Sequence, residues 1–176
     1  MRKYLLHVLI ISIFSFVLFT SPFVSAQSHK LADEYFNKAQ ELRKQGKYLE
    51  AVKMFEKSAE AEKASPAPRM EELADALNDA GSCYYLVGQY DKALKYFEEA
   101  LAINKRLGKE DGVANNHLGI ANVYYSWGQY DKGIKHYEEA LAIYEKLGQE
   151  GGVATSLNNI GLVYDSWRQY DKAIEY

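Results

Sequence analysis

A chain of 176 residues with a formal net charge of -3 has the length of one domain, and its interleaved acids and bases offer no basic field to attract nucleic acid. Hydrophobic residues at 48% and charged residues at 26% exclude a disordered chain, and the lone cysteine, Cys83, excludes an intrachain disulfide. Tyrosine is over-used, 15 of 176, and its apolar ring and polar tip suit half-buried positions between packed helices.

The first 26 residues read as an address. Arg2 and Lys3 give a positive start, and Leu5 to Phe19 is almost wholly apolar. Pro22 is expected to break the helix, and Val24-Ser25-Ala26 sets small or modest side chains before Gln27. This is the pattern of a secretory signal peptide cleaved after Ala26. The apolar stretch is shorter than the ~20 residues of a spanning helix. The expected location is therefore exported, periplasmic or extracellular, with no membrane segment after cleavage unless one lies beyond position 176. Residues 27–176 form the expected folded domain.

Within that domain the chain repeats itself. Gly88-Gln89-Tyr90-Asp91-Lys92-Ala93 returns as Gly128-Gln129-Tyr130-Asp131-Lys132-Gly133 and as Arg168-Gln169-Tyr170-Asp171-Lys172-Ala173, forty residues apart each time. A weaker copy is Gly46-Lys47-Tyr48-Leu49-Glu50-Ala51. The units run over about 32–65, 74–113, 114–153 and 154–176. In the second, Leu77, Ala80, Gly81, Tyr84 and Tyr85 recur at three and four residues, the spacing of one helical face. Gly88 ends that helix, because glycine accepts the left-handed conformation. A second helix, roughly Asp91 to Leu107, carries Leu94, Phe97 and Leu101 on its apolar stripe. Gly81 or Gly161, Ala93 or Ala173, and Ala100 or Ala140 are small where two helices cross. Lys63 to Arg69 reads as a prolonged connection. By the repeat, the fourth unit's second helix would continue past Tyr176, so a fragment of a longer protein is expected.

Small residue, aromatic, Gly-x-Tyr turn, alanine, aromatic, alanine: this order resembles the tetratricopeptide repeat (TPR) family over residues 32 to 176. A forty-residue period also suits HEAT repeats or WD40 blades, but the first lacks the Gly-x-Tyr block and the second needs alternating strands, which are not seen here. The ordinary TPR period is 34, and the longer one is similar to the repeats of kinesin light chains, of cell-polarity proteins and of bacterial peptide receptors. Lys38, Ser58, Gly133 and Arg168 depart from the pattern. The resemblance implies an all-α fold, a right-handed superhelix of antiparallel helix hairpins, with a concave surface lined by the first helix of each unit.

The resemblance also implies groove positions: Asp75, Asn78, Ser82 and Tyr85 in the second unit, Asn115, Leu118, Asn122 and Tyr125 in the third, and Thr155, Asn158, Leu162 and Asp165 in the fourth. Asp33, Phe36, Gln40 and Arg43 are their counterparts in the divergent first unit. Asparagine both donates and accepts, so it can pair with the backbone of an extended peptide. The subtype that clamps a C-terminal carboxylate needs basic residues where this chain has Asn78, Leu118 and Asn158, so that specialisation is not expected.

Side chains with chemical potential read as structural. His117 stands where the family packs a tryptophan or leucine, His136 is expected in solvent, and His29 is expected to move freely near the mature start. The three show no metal-ligand spacing among themselves or with Cys83, which reads as a small core residue. Glu98-Glu99 and Glu138-Glu139 point about 100° apart on a helix and read as a solvent face. Trp127 and Trp167 are expected to cover the seams between units. The sequence thus predicts a non-enzymatic, exported scaffold without metal or cofactor that binds a protein or peptide in its groove. The alternative is an extracytoplasmic sensing part of a bacterial signalling protein, with a histidine kinase or DNA-binding output.

Overall fold

The computed structural model describes residues 2–176, with side chains from residue 21 onward. All its elements are helices: α1 (Arg2–Lys44), α2 (Tyr48–Ala64), α3 (Met70–Leu86), α4 (Tyr90–Leu107), α5 (Glu110–Ser126), α6 (Tyr130–Leu147), α7 (Glu150–Ser166) and the single turn α8 (Tyr170–Ala173). They pair as hairpins α1/α2, α3/α4, α5/α6 and α7/α8, and each hairpin packs on the next to form a right-handed α-solenoid.

One backbone device closes these hairpins. Gly88 has φ +74°, its N–H donates to Tyr85 O at 2.9 Å, and Gln89 N–H donates to Tyr84 O at 2.9 Å. This pair of hydrogen bonds to the last turn satisfies carbonyls that a helix end leaves orphaned. Gln129 repeats it on Tyr124 and Gln169 on Tyr164. At the last of these corners Arg168 takes the left-handed φ of 60° without being glycine, which costs about 1–2 kcal/mol. The turn geometry is thus kept where the turn residue is not.

Close approach of the helices explains the small residues. Ala93, Ala100 and Ala140 have no exposed surface. The ring of Phe97 is wedged between α3 and α5, so that a Cβ on Gly81 would stand 3.0 Å from it and one on Gly119 only 2.6 Å. Outside this core the seams repeat an aromatic pattern. Trp127 meets Tyr90 edge-on with centroids 6.1 Å apart, and Trp167 meets Tyr130 at 5.9 Å, so the two tryptophans do bridge successive units. Lys92, Lys132 and Lys172 lie over the rings of Tyr84, Tyr124 and Tyr164.

Two expectations about the N-terminal region need correction. Pro22 lies inside α1 instead of ending it. Proline removes one hydrogen bond from the helix, and the next turn is held from outside, where Ser25 Oγ bonds Ser65 Oγ at 2.9 Å. His29 is not loose: its Nε2 lies 3.0 Å from Ala67 O and 3.1 Å from Ser65 Oγ. The apolar stretch Leu5 to Phe19, on which the expectation of a signal peptide rests, falls outside the residues whose side chains are described. Among the described residues no helix is long and apolar enough to cross a membrane.

The connection between α2 and α3 is more than a linker. Glu62 is buried and accepts from the Arg69 backbone N–H at 3.0 Å and from Arg69 Nε at 2.9 Å. Arg69 also reaches Asp33 of α1 at 2.7 Å. A buried carboxylate is tolerated because charge-assisted bonds replace its water. The serine departure has a similar explanation, since Ser58 Oγ donates to Ala32 O at 2.9 Å.

Candidate functional site: the inner face of the first helices

Asn78, Ser82 and Tyr85 project from α3, and Asn115, Leu118 and Asn122 from α5. The six line one cavity of about 310 Å³ together with Leu86, Phe97 and Gly119. The three amides are held from behind. Asn78 Oδ1 accepts from Asn116 Nδ2 at 2.9 Å, Asn115 Oδ1 accepts from the Tyr144 hydroxyl at 2.8 Å, and Asn122 Oδ1 accepts from the Tyr137 hydroxyl. Asn116 is itself fixed by Asn104 at 2.8 Å. With the acceptor end engaged in each, the Nδ2 donors are the ends left to a guest.

The remaining groove positions are placed differently. Tyr125 bonds Ser166 of α7 at 2.9 Å, just as Tyr85 accepts from Ser126 at 3.2 Å, so both tyrosines staple neighbouring first helices. Asn158, Leu162 and Asp165 line a separate, wider cavity of about 670 Å³ with Tyr170 and Ile174. Thr155 Oγ1 turns back on Gly151 O at 2.8 Å. Asp75 lies with Asp33 and Phe36 around a small cavity of about 80 Å³. Burial, and then the carboxylate of Asp79, push Asp75 above its ordinary value. In the first unit Gln40 and Arg43 are occupied, donating to Asp79 at 2.5 and 2.8 Å. They serve the joint between hairpins and are not open groove donors. The family register does not name Phe97, Leu86 or Gly119 as lining; Phe97 lies on a second helix and reaches across by its size.

The histidines also differ from expectation. His117 is packed, as its position implied, but His136 is half-buried instead of solvated, stacked on Tyr124 with centroids 5.6 Å apart. His117 Nδ1 lies 2.9 Å from His136 Nδ1 and 2.9 Å from Glu139 Oε2. Glu139 is therefore not merely a solvent-face acid. Burial lowers both histidines below their ordinary value, against the opposing pull of Glu139. Linear spacing hid the trio because residue 117 meets residues 136 and 139 only after the α5/α6 hairpin closes. Cys83 is fully buried, and burial pushes its thiol up to about 11.

These features define an α-solenoid of stacked helical hairpins with an inner face built from its first helices. The tetratricopeptide repeat description matches residues 32–106 and 112–176, and the chain belongs to that family. No curated protein matches it. Among solved structures it is similar to apo RapI, with a TM-score of 0.76 and 18% identity over 84% of this chain and 53% of that one. It is also similar to aspartyl phosphate phosphatase F from Bacillus subtilis, with a TM-score of 0.72 and 26% identity over 81% and 37% of the two chains. A third is the Rap conjugation gene regulator of plasmid pLS20 in complex with the Phr* peptide, with a TM-score of 0.73 and 18% identity over 81% and 39%. The chain thus spans about half or less of the length of these structures.

Proposed function

We propose that the chain is a non-catalytic module that holds an extended peptide, or an extended segment of a protein, against the inner faces of α3 and α5. The observation that carries this reading is the row of amides, Asn78, Asn115 and Asn122, each tied back through its oxygen and lining the same cavity. Pre-set donors hydrogen-bond a guest's backbone carbonyls without first giving up side-chain freedom, and Tyr85 and Leu118 supply apolar area beside them. The bound Phr* peptide of the pLS20 regulator supports the same use of the fold. Phosphatase action, named for one of the similar structures, is not assigned to this chain.

The reading includes export. Cleavage after Ala26 would remove Ser25 but leave His29 on Ser65 and Ala67, so the first hairpin keeps its closing contacts. Intact mass of protein recovered from outside the cytoplasm checks this, with a chain starting at Gln27 expected. The alternative, a peptide-sensing part of a bacterial regulator, uses the same groove and draws on the pLS20 likeness.

The groove itself is tested by selecting a ligand from a random peptide library and titrating it against Asn78→Ala and Asn122→Ala. Each substitution is expected to weaken binding about tenfold, the worth of one to two hydrogen bonds. Unchanged affinity in both would overturn the groove assignment, and turnover by residues 27–176 of a phosphorylated or acylated substrate would overturn the non-catalytic one.

A further inference from the structure

The internal repeat provides its own reference for the third hairpin. Position 117 matches Leu77 and Leu157, and position 136 matches Tyr96 and Tyr176, so two apolar or aromatic positions become histidine in this hairpin. The carboxylate is retained, since Glu139 matches Glu99. The two exchanged positions lie on different helices, His117 on α5 and His136 on α6, and they face each other. In the second hairpin, Leu77 at the first position lies in the apolar core, and Tyr96 at the second donates to Glu56.

We propose that His117, His136 and Glu139 form a binding site for a divalent transition-metal ion of the zinc class. Their ligand atoms make a triangle, His117 Nδ1 to His136 Nδ1 2.9 Å, His117 Nδ1 to Glu139 Oε2 2.9 Å and His136 Nδ1 to Glu139 Oε2 3.3 Å. Zinc binds imidazole nitrogen and carboxylate oxygen at about 2.0–2.2 Å in tetrahedral geometry, which spaces its donors by roughly 3.3 Å. The triangle is thus close to one face of such a tetrahedron, and an ion equidistant from the three atoms would stand roughly 1 Å off their plane.

The surroundings suit a ligand set. His136 and Glu139 are three residues apart and share a face of α6. The ring of His136 is fixed between Tyr124, at 5.6 Å, and His117, at 5.2 Å. His117 is 6% exposed and Glu139 40%, so the triangle is closed on the protein side and open to solvent past the carboxylate. Three protein donors leave a fourth position for water or for a donor from a bound partner. A single carboxylate and two imidazoles favour zinc, nickel or copper over calcium or magnesium, which prefer oxygen.

The full chain, stripped with chelator, is titrated with zinc by calorimetry and with cobalt(II) by visible absorption, and bound metal is counted by native mass spectrometry. The expected result is one ion per chain, an intense four-coordinate cobalt spectrum, and affinity lowered about 100-fold or more in His117→Leu and His136→Tyr. Those exchanges restore the residues found at the matching positions of the neighbouring unit, so they are compatible with the fold. Glu139→Gln, at a half-exposed position, is expected to lower affinity by about tenfold or more without loss of helicity by circular dichroism. Metal bound equally well by all three variants, an adventitious ion only, would overturn the site. So would no saturable uptake by the unaltered chain, leaving a hydrogen-bonded trio.

Discussion

The second hairpin (α3/α4) and the third (α5/α6) share a backbone plan and differ in what they bury. In the second, Tyr84 and Tyr96 both donate to Glu56 of the preceding hairpin, at 2.6 and 2.7 Å, so its aromatic pair is spent on the joint behind it. In the third, the ring beside Tyr124 is His136, stacked on it where Tyr96 is tilted against Tyr84, and the polar ends turn inward to His117 and Glu139. Asn104 of the second hairpin becomes Tyr144 in the third, and the hydrogen bond that tethers a groove amide changes from Asn116 holding Asn78 to Tyr144 holding Asn115. A repeat therefore fixes where helices run, while exchanges at a few buried positions decide what each hairpin can do.

The sharpest way to break this comparison is at the residue both hairpins share. Phe97→Ala removes a ring packed under Gly81 and Gly119 and is expected to cost about 3–5 kcal/mol in urea unfolding, because little else can fill the space. A loss under about 1 kcal/mol would mean that the hairpins are not wedged together by it. Gly119→Ala probes the same contact from the other side. Its methyl would stand 2.6 Å from the Phe97 ring, and the expected loss is about 1–3 kcal/mol. Gly133→Ala in the third hairpin meets its nearest atom at 3.4 Å; it should be neutral or gain up to about 1 kcal/mol from helix propensity.

Smaller effects sharpen the contrast at the joints. Tyr96→Phe leaves Glu56 with Tyr84 alone and is expected to cost about 1 kcal/mol. Arg168→Gly relieves the left-handed residue at the last corner and should raise stability by about 0.5–1 kcal/mol, whereas Gly128→Arg at the matching corner should lower it by a similar amount. The smallest effect is kinetic. Cys83, buried with its thiol pushed up to about 11, should resist a thiol reagent at neutral pH until α3 opens, and rapid labelling of the native chain would contradict that burial.

Much of the architecture was legible because its signals are local and recur. Tyr90, Tyr130 and Tyr170 mark each second helix, Gly88 and Gly128 close the first two of these corners with Arg168 in their place at the last, and alanines mark the crossings. What stayed hidden depends on residues distant in sequence or on a charge in an unusual place. Glu62 is a charged residue with no motif around it, and its burial is made possible by Arg69 from across a turn. Pro22 reads as a stop, yet contacts from Ser65 hold the helix beyond it. Six of the positions that the family register names in the second and third units line one cavity, but the register does not tell which end of each amide is engaged, because the tethers Tyr137, Tyr144 and Asn116 lie on other faces. The histidine trio does carry a sequence signal, since His117 and His136 depart from the chain's own repeat at matching positions.

The central claim, that a guest lies along the inner faces of α3 and α5, is tested most directly by amide hydrogen exchange with and without a saturating library-selected peptide. Slowed exchange concentrated in α3 and α5 around Asn78, Ser82, Leu118 and Asn122, with α4 and α6 little changed, is the predicted result. Protection confined to α4, α6 or the corner turns would contradict it.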